Sequence, residues 1–128
     1  MKGLYLVTPD WDDTDRLLAA SEQAIEGGAT LLQYRHKTAS EALRREQAQA
    51  LLTLCRTMKV PLIINDHVDL CEAIDADGIH VGGTDASVAN VRARVGADKI
   101  IGASCYGDLQ LARDAKAAGA SYVAFGGF

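Results

Sequence analysis

From the first apolar run onward, the chain alternates short hydrophobic stretches with longer amphipathic ones, without a linker or a low-complexity tract. Runs of strand length fall at Gly3 to Thr8, Thr30 to Arg35, Pro61 to Asn65, Gly78 to Val81, Lys99 to Ala103 and Ser121 to Phe125. Between them, apolar residues recur at helical spacing over Asp15 to Glu26, Ser40 to Met58, a short Val68 to Ala73, Ser87 to Val95 and Leu109 to Ala118. Strand, helix, strand repeated in this way predicts right-handed crossovers and a parallel sheet with helices outside it, an α/β fold.

The helix exits echo one another: Glu26-Gly27-Gly28-Ala29, Asp75-Ala76-Asp77-Gly78 and Ala118-Gly119-Ala120 all put small residues at a helix exit just before a strand. Glycine there is expected to cap the helix in the left-handed conformation. One repeated βα unit favours a TIM (β/α)8 barrel over an open sheet. Six strand patterns and five helical ones fall short of the eight pairs that such a barrel needs in about 250 residues. The last residues, Phe125-Gly126-Gly127-Phe128, read as a strand entering a Gly-rich loop with no helix to follow. The expectation is one barrel domain over residues 1–128, truncated after its sixth strand, whose open edge needs a partner surface such as a homo-oligomer.

Composition narrows the function classes. The 128 residues carry a net charge of −4, and aromatics make up 5%. Both figures argue against a nucleic-acid surface. No apolar stretch approaches the roughly 20 residues needed to cross a bilayer, and Met1 leads straight into a strand pattern. Cys55, Cys71 and Cys105 form no CxxC pair, which predicts reduced thiols and a soluble cytoplasmic protein.

In parallel α/β folds the loops leaving the carboxyl ends of strands build the site. Gln33, Arg35 and Lys37 alternate to one side of the second strand. Two cations and an amide converging there suit a phosphate or pyrophosphate. The charges alone could mark a solvated strand end, but Gln33 still lies in the apolar run, where an amide needs a partner. Asn65 and Asp66 end the third strand, and Asp85 follows the fourth. The two carboxylates could share a Mg²⁺ ion with waters and substrate oxygens, although each also reads as a turn or helix cap.

Ser104, after the fifth strand, could donate to a phosphate oxygen or simply cap a helix, and Gly102 would permit close backbone approach. His80 reads as a barrel-lining histidine, while His36 and His67 point away or lie in loops, and no His/Cys spacing suggests zinc. Cys105 lacks an evident base, and Asp10-Trp11-Asp12-Asp13 reads as a loop feeding a capped helix. Together, cations, carboxylates and a hydroxyl at one sheet edge describe a Mg²⁺-dependent enzyme acting on a phosphate or pyrophosphate.

The ordered set Leu4-Tyr5-Leu6-Val7-Thr8, Gln33-Tyr34-Arg35-His36-Lys37, Pro61-Leu62-Ile63-Ile64-Asn65-Asp66, Ala76-Asp77-Gly78-Ile79-His80-Val81-Gly82 and Ile100-Ile101-Gly102-Ala103-Ser104 resembles the thiamine-phosphate synthase family along the whole chain. The resemblance implies a TIM barrel that joins 4-amino-5-hydroxymethyl-2-methylpyrimidine diphosphate to 4-methyl-5-(2-phosphoethyl)thiazole, releasing pyrophosphate and thiamine phosphate. It also implies that Gln33, Arg35 and Lys37 grip the diphosphate with help from Asn65. Asp66 and Asp85 would hold Mg²⁺, and Ser104 would contact the departing pyrophosphate.

Three departures stand out. His36 replaces the usual acidic residue between the arginine and the lysine, and Gly83 replaces a common glutamine. The family's Thr-x-Thr-Lys loop and two further βα units do not appear before Phe128, so little or no synthase activity is expected of these residues alone. Two other readings compete. A thiazole-phosphate tautomerase-like relative would not need the diphosphate grip, and a flavodoxin-like receiver module would fit the length but requires a different strand order.

Overall fold

In a computed structural model, described here for residues 3–82 and 85–125, six strands and five helices alternate along the described chain. The strands are β1 (Leu4–Val7), β2 (Ala29–Tyr34), β3 (Leu62–Asn65), β4 (Gly78–Gly82), β5 (Ile100–Tyr106) and β6 (Tyr122–Phe125). The helices are α1 (Thr14–Glu26), α2 (Glu41–Met58), α3 (Val68–Ile74), α4 (Asp85–Val95) and α5 (Leu109–Ala118). Every pairing is parallel, in the order β1-β2-β3-β4-β5-β6. Sequential order excludes a flavodoxin-like receiver, in which β1 lies between β2 and β3.

The sheet is strongly curled. Five steps of about 4.8 Å would hold β1 and β6 about 24 Å apart in a flat sheet. Instead the rings of Tyr5 on β1 and Tyr122 on β6 meet edge to face, with centroids 5.5 Å apart. The strands thus form a large part of a (β/α) barrel wall.

The two faces of that wall carry different residues because strand side chains alternate. Leu32, Tyr34, Leu62, Ile64, Ile79, Val81, Ile101, Ala103 and Cys105 face outward and pack under the helices with Leu17, Leu51, Leu52 and Cys55. Burial raises the Cys55 and Cys71 thiols to about 12 and about 11, and all three cysteines are free.

Local chemistry sets the helix ends. Asp13, Ser40 and Asp108 cap α1, α2 and α5 by accepting from backbone N–H groups three residues on. The glycine expectation holds at Gly119, which closes α5 at φ +116°. At the exit of α3, however, it is Asp75 that turns left-handed, at φ +56°, and Gly78 lies inside β4. No helix among the described residues is long and apolar enough to cross a membrane.

Candidate active site

The carboxyl ends of β2 to β5 surround a cavity of about 700 Å³. Arg35, Lys37, Asn65, Asp66 and Ser104 all line it, so five of the seven residues singled out from the sequence share one wall. Gln33 lies one layer deeper, 7% exposed, and its Oε1 accepts a 3.0 Å hydrogen bond from Asn65 Nδ2. The amide in the apolar run therefore has its partner, and that partner is the residue ending the next strand. Asp85 opens α4, but its side chain lies outside the described residues, as does Gly83.

The electrostatics at the rim are uneven. The side chains of Arg35 and Lys37 have no protein partner among the described residues; only their backbones are engaged. Thr8 Oγ1 at the end of β1 accepts from Arg35 N at 3.0 Å. Asp66 leaves β3 with φ +63°, a left-handed turn that an aspartate tolerates better than most residues, and its carboxylate is exposed at the cavity. Cations held by their backbones with free head groups, beside an exposed carboxylate, can take a polyanion directly and a divalent ion through oxygen.

The loop carrying Lys37 is held by residues that sequence reasoning assigned no such part. His36 is 3% exposed. Its Nδ1 accepts from Thr38 N, so its Nε2 donates to Asp12 Oδ1 at 2.7 Å. Arg44 of α2 donates from Nη2 to the carbonyls of His36 and Ala39 at 3.1 and 3.0 Å. The Asp10 to Asp13 segment thus braces the β2–α2 loop as well as feeding α1. An aspartate within reach of a strand-end histidine is the signal that could have been read, but it spans 24 residues.

Below the cavity the inner wall is polar. His80 of β4 hydrogen-bonds through Nε2 to Ser104 Oγ at 2.6 Å and through Nδ1 to Tyr122 Oη at 3.0 Å. Burial holds the His80 imidazole below its usual range, partly opposed by the negative charge of Asp66, so the ring is neutral. Burial likewise lifts the Tyr122 hydroxyl to about 12, reinforced by Tyr5 and opposed by a hydrogen bond from the Gln33 amide. Ser104 is not a helix cap: β5 continues to Tyr106 and places its hydroxyl on the inner face. Nor does Gly102 face open space, since a Cβ there would lie 2.1 Å from the Tyr122 ring and 2.6 Å from His80 Nδ1.

Known proteins resemble this chain along nearly its whole length. A thiamine-phosphate synthase from Janthinobacterium sp. (strain Marseille) is 70% identical over 128 residues, covering 100% of this chain and 62% of the relative. One from Nitrosospira multiformis is 52% identical over 126 residues, covering 98% of this chain and 54% of the relative. The solved thiamine phosphate pyrophosphorylase from Pyrococcus furiosus superposes with a TM-score of 0.81 at 33% identity, over 96% of this chain and 59% of that one. The chain thus spans between 54% and 62% of the length of these two curated relatives. Residues 4–128 match the thiamine monophosphate synthase family, and the chain belongs to it.

Proposed function

We propose that the cavity is the pyrimidine-diphosphate half of a thiamine-phosphate synthase site, and that the whole protein joins the pyrimidine diphosphate to the thiazole phosphate. The observation carrying this reading is the pair of cations, Arg35 and Lys37, held at the cavity rim without a side-chain partner among the described residues, beside Asp66 and Ser104.

In the proposed reaction the bond between the pyrimidine methylene carbon and the diphosphate oxygen breaks, and its electron pair leaves with pyrophosphate. The thiazole nitrogen then supplies the pair for the new C–N bond. Arg35 forks onto the diphosphate, Lys37 follows it as a mobile point charge, and Ser104 donates to an oxygen that gains charge as the bond lengthens. Gln33 and Asn65, bonded to each other, form the floor beneath.

Among the described residues no three His, Cys, Asp or Glu side chains come together to hold a metal. The exposed Asp66 carboxylate nevertheless offers the hard oxygen that Mg²⁺ takes when it shares its coordination with phosphate and water. Asp66 and, by family resemblance, Asp85 would hold the ion, which when bound neutralises charge on the leaving group. We further place the protein in the cytoplasm, which three free, buried thiols support.

Calorimetric titration of this chain with the pyrimidine diphosphate and Mg²⁺ tests the reading. One saturable site, weakened at least tenfold by Arg35→Ala, is expected; no binding with Mg²⁺ present would overturn it.

A further inference from the structure

The inner wall of the barrel carries hydrogen-bonding groups behind Ser104 that the proposed reaction does not use directly. Tyr122, His80 and Ser104, from three different strands, run in one line. We propose that Tyr122 and His80 are positioning residues that hold the Ser104 hydroxyl as a donor aimed into the cavity. The proposal rests on reading that cavity as a diphosphate site.

The polarity of the line follows from donor and acceptor counts. Tyr122 Oη lies 3.0 Å from His80 Nδ1, and a phenol is a better donor than acceptor toward an imidazole nitrogen. Its proton therefore turns toward His80 Nδ1. A neutral imidazole has one N–H and one lone pair. With the lone pair on Nδ1 occupied, the proton lies on Nε2 and is donated to Ser104 Oγ at 2.6 Å. Ser104 has a single proton, and this arrangement leaves it for the cavity that the residue lines.

The opposite polarity would direct the Ser104 proton onto His80 Nε2 and present only lone pairs to an incoming anion, which repels it. Gly102 makes the link physically possible, because a side chain there would occupy the volume of the Tyr122 ring and cut it off from His80.

Two measurements test this, with inorganic pyrophosphate and Mg²⁺ as the probe. Long-range ¹⁵N–¹H correlation of the His80 ring in the unaltered chain should show the Nε2–H tautomer; the Nδ1–H tautomer would sink the proposal without any variant. Pyrophosphate affinity should then fall about fivefold in Tyr122→Phe and about fivefold in Ser104→Ala, the loss of one hydrogen bond. Because Tyr122 acts through Ser104, Tyr122→Phe should weaken binding no further in the Ser104→Ala background. Equal weakening in both backgrounds would mean that Tyr122 is merely structural, and would overturn the proposal. If the unaltered chain shows the Nε2–H tautomer yet binds no pyrophosphate, the diphosphate reading fails while the orientation of Ser104 stands.

Discussion

The two ends of the barrel use the same residue types in opposite ways. At the amino ends of the strands, Arg92, Lys99 and Arg56 have found protein oxygens. Arg92 donates to Gly119 O from Nε and Nη2 at 3.1 and 2.7 Å, and from Nη1 to Gly96 O and Lys99 O at 2.8 and 2.6 Å. Lys99 Nζ reaches Asp75 Oδ1 and Ala76 O, and Arg56 reaches Asp75 O. The Lys99 ammonium holds the exposed Asp75 carboxyl below its usual range, chiefly by hydrogen bonding. At the carboxyl ends, Arg35 and Lys37 carry the same charges with their head groups left to the cavity. Saturated cations tie the αβ loops together, whereas cations without protein partners among the described residues are free to take an anion.

Four substitutions or conditions would break or sharpen this contrast. Arg92→Ala should have the largest effect, a loss of about 3 kcal/mol in urea unfolding, because it strands several carbonyls that the guanidinium satisfies. Pyrophosphate affinity should be unchanged in that variant. Arg35→Ala should do the reverse, costing about 2 kcal/mol of binding with stability altered by less than about 0.5 kcal/mol. A matched stability loss in both would erase the distinction between the ends.

Lys37→Ala should weaken binding by about 1 kcal/mol, and its effect should shrink as salt is raised, since the ammonium is an exposed point charge. The smallest effect concerns the floor of the site. The folded chain keeps His80 neutral below the ordinary value of 6.5, so the unfolded chain binds that proton first. Stability from this group is fully present above pH 6.5 and falls as pH drops toward the lowered folded value. His80→Gln should flatten the unfolding free energy measured across that window, and an unchanged pH slope would show that His80 titrates freely.

Much of this architecture was legible in the sequence. Each predicted strand and helix has its counterpart, because near-continuous runs such as Leu62-Ile63-Ile64 and the amphipathic period of α2 are local signals of burial. The clustering of Arg35, Lys37, Asn65, Asp66 and Ser104 was legible too, since it follows from strand ends in a parallel sheet. What local pattern could not supply was partner identity. Ser104, Cys105 and Tyr106 extend β5 beyond the expected Ala103, because Cys105 is packed into the helix-facing core while Ser104 faces inward. The pairing of His80 with Tyr122 spans 42 residues, and that of Gln47 with Trp11 spans 36; both depend on register and curl. The close approach expected at Gly102 is made by another residue of the chain, Tyr122.

That occupied space ties two positions into one heritable unit. A methyl group at 102 and a full phenol at 122 cannot coexist in this wall, so lineages that drift at one position must drift at the other. Among related sequences, a residue larger than glycine at 102 should appear together with a smaller one at 122. Where it does, the serine at 104 has lost its distant support.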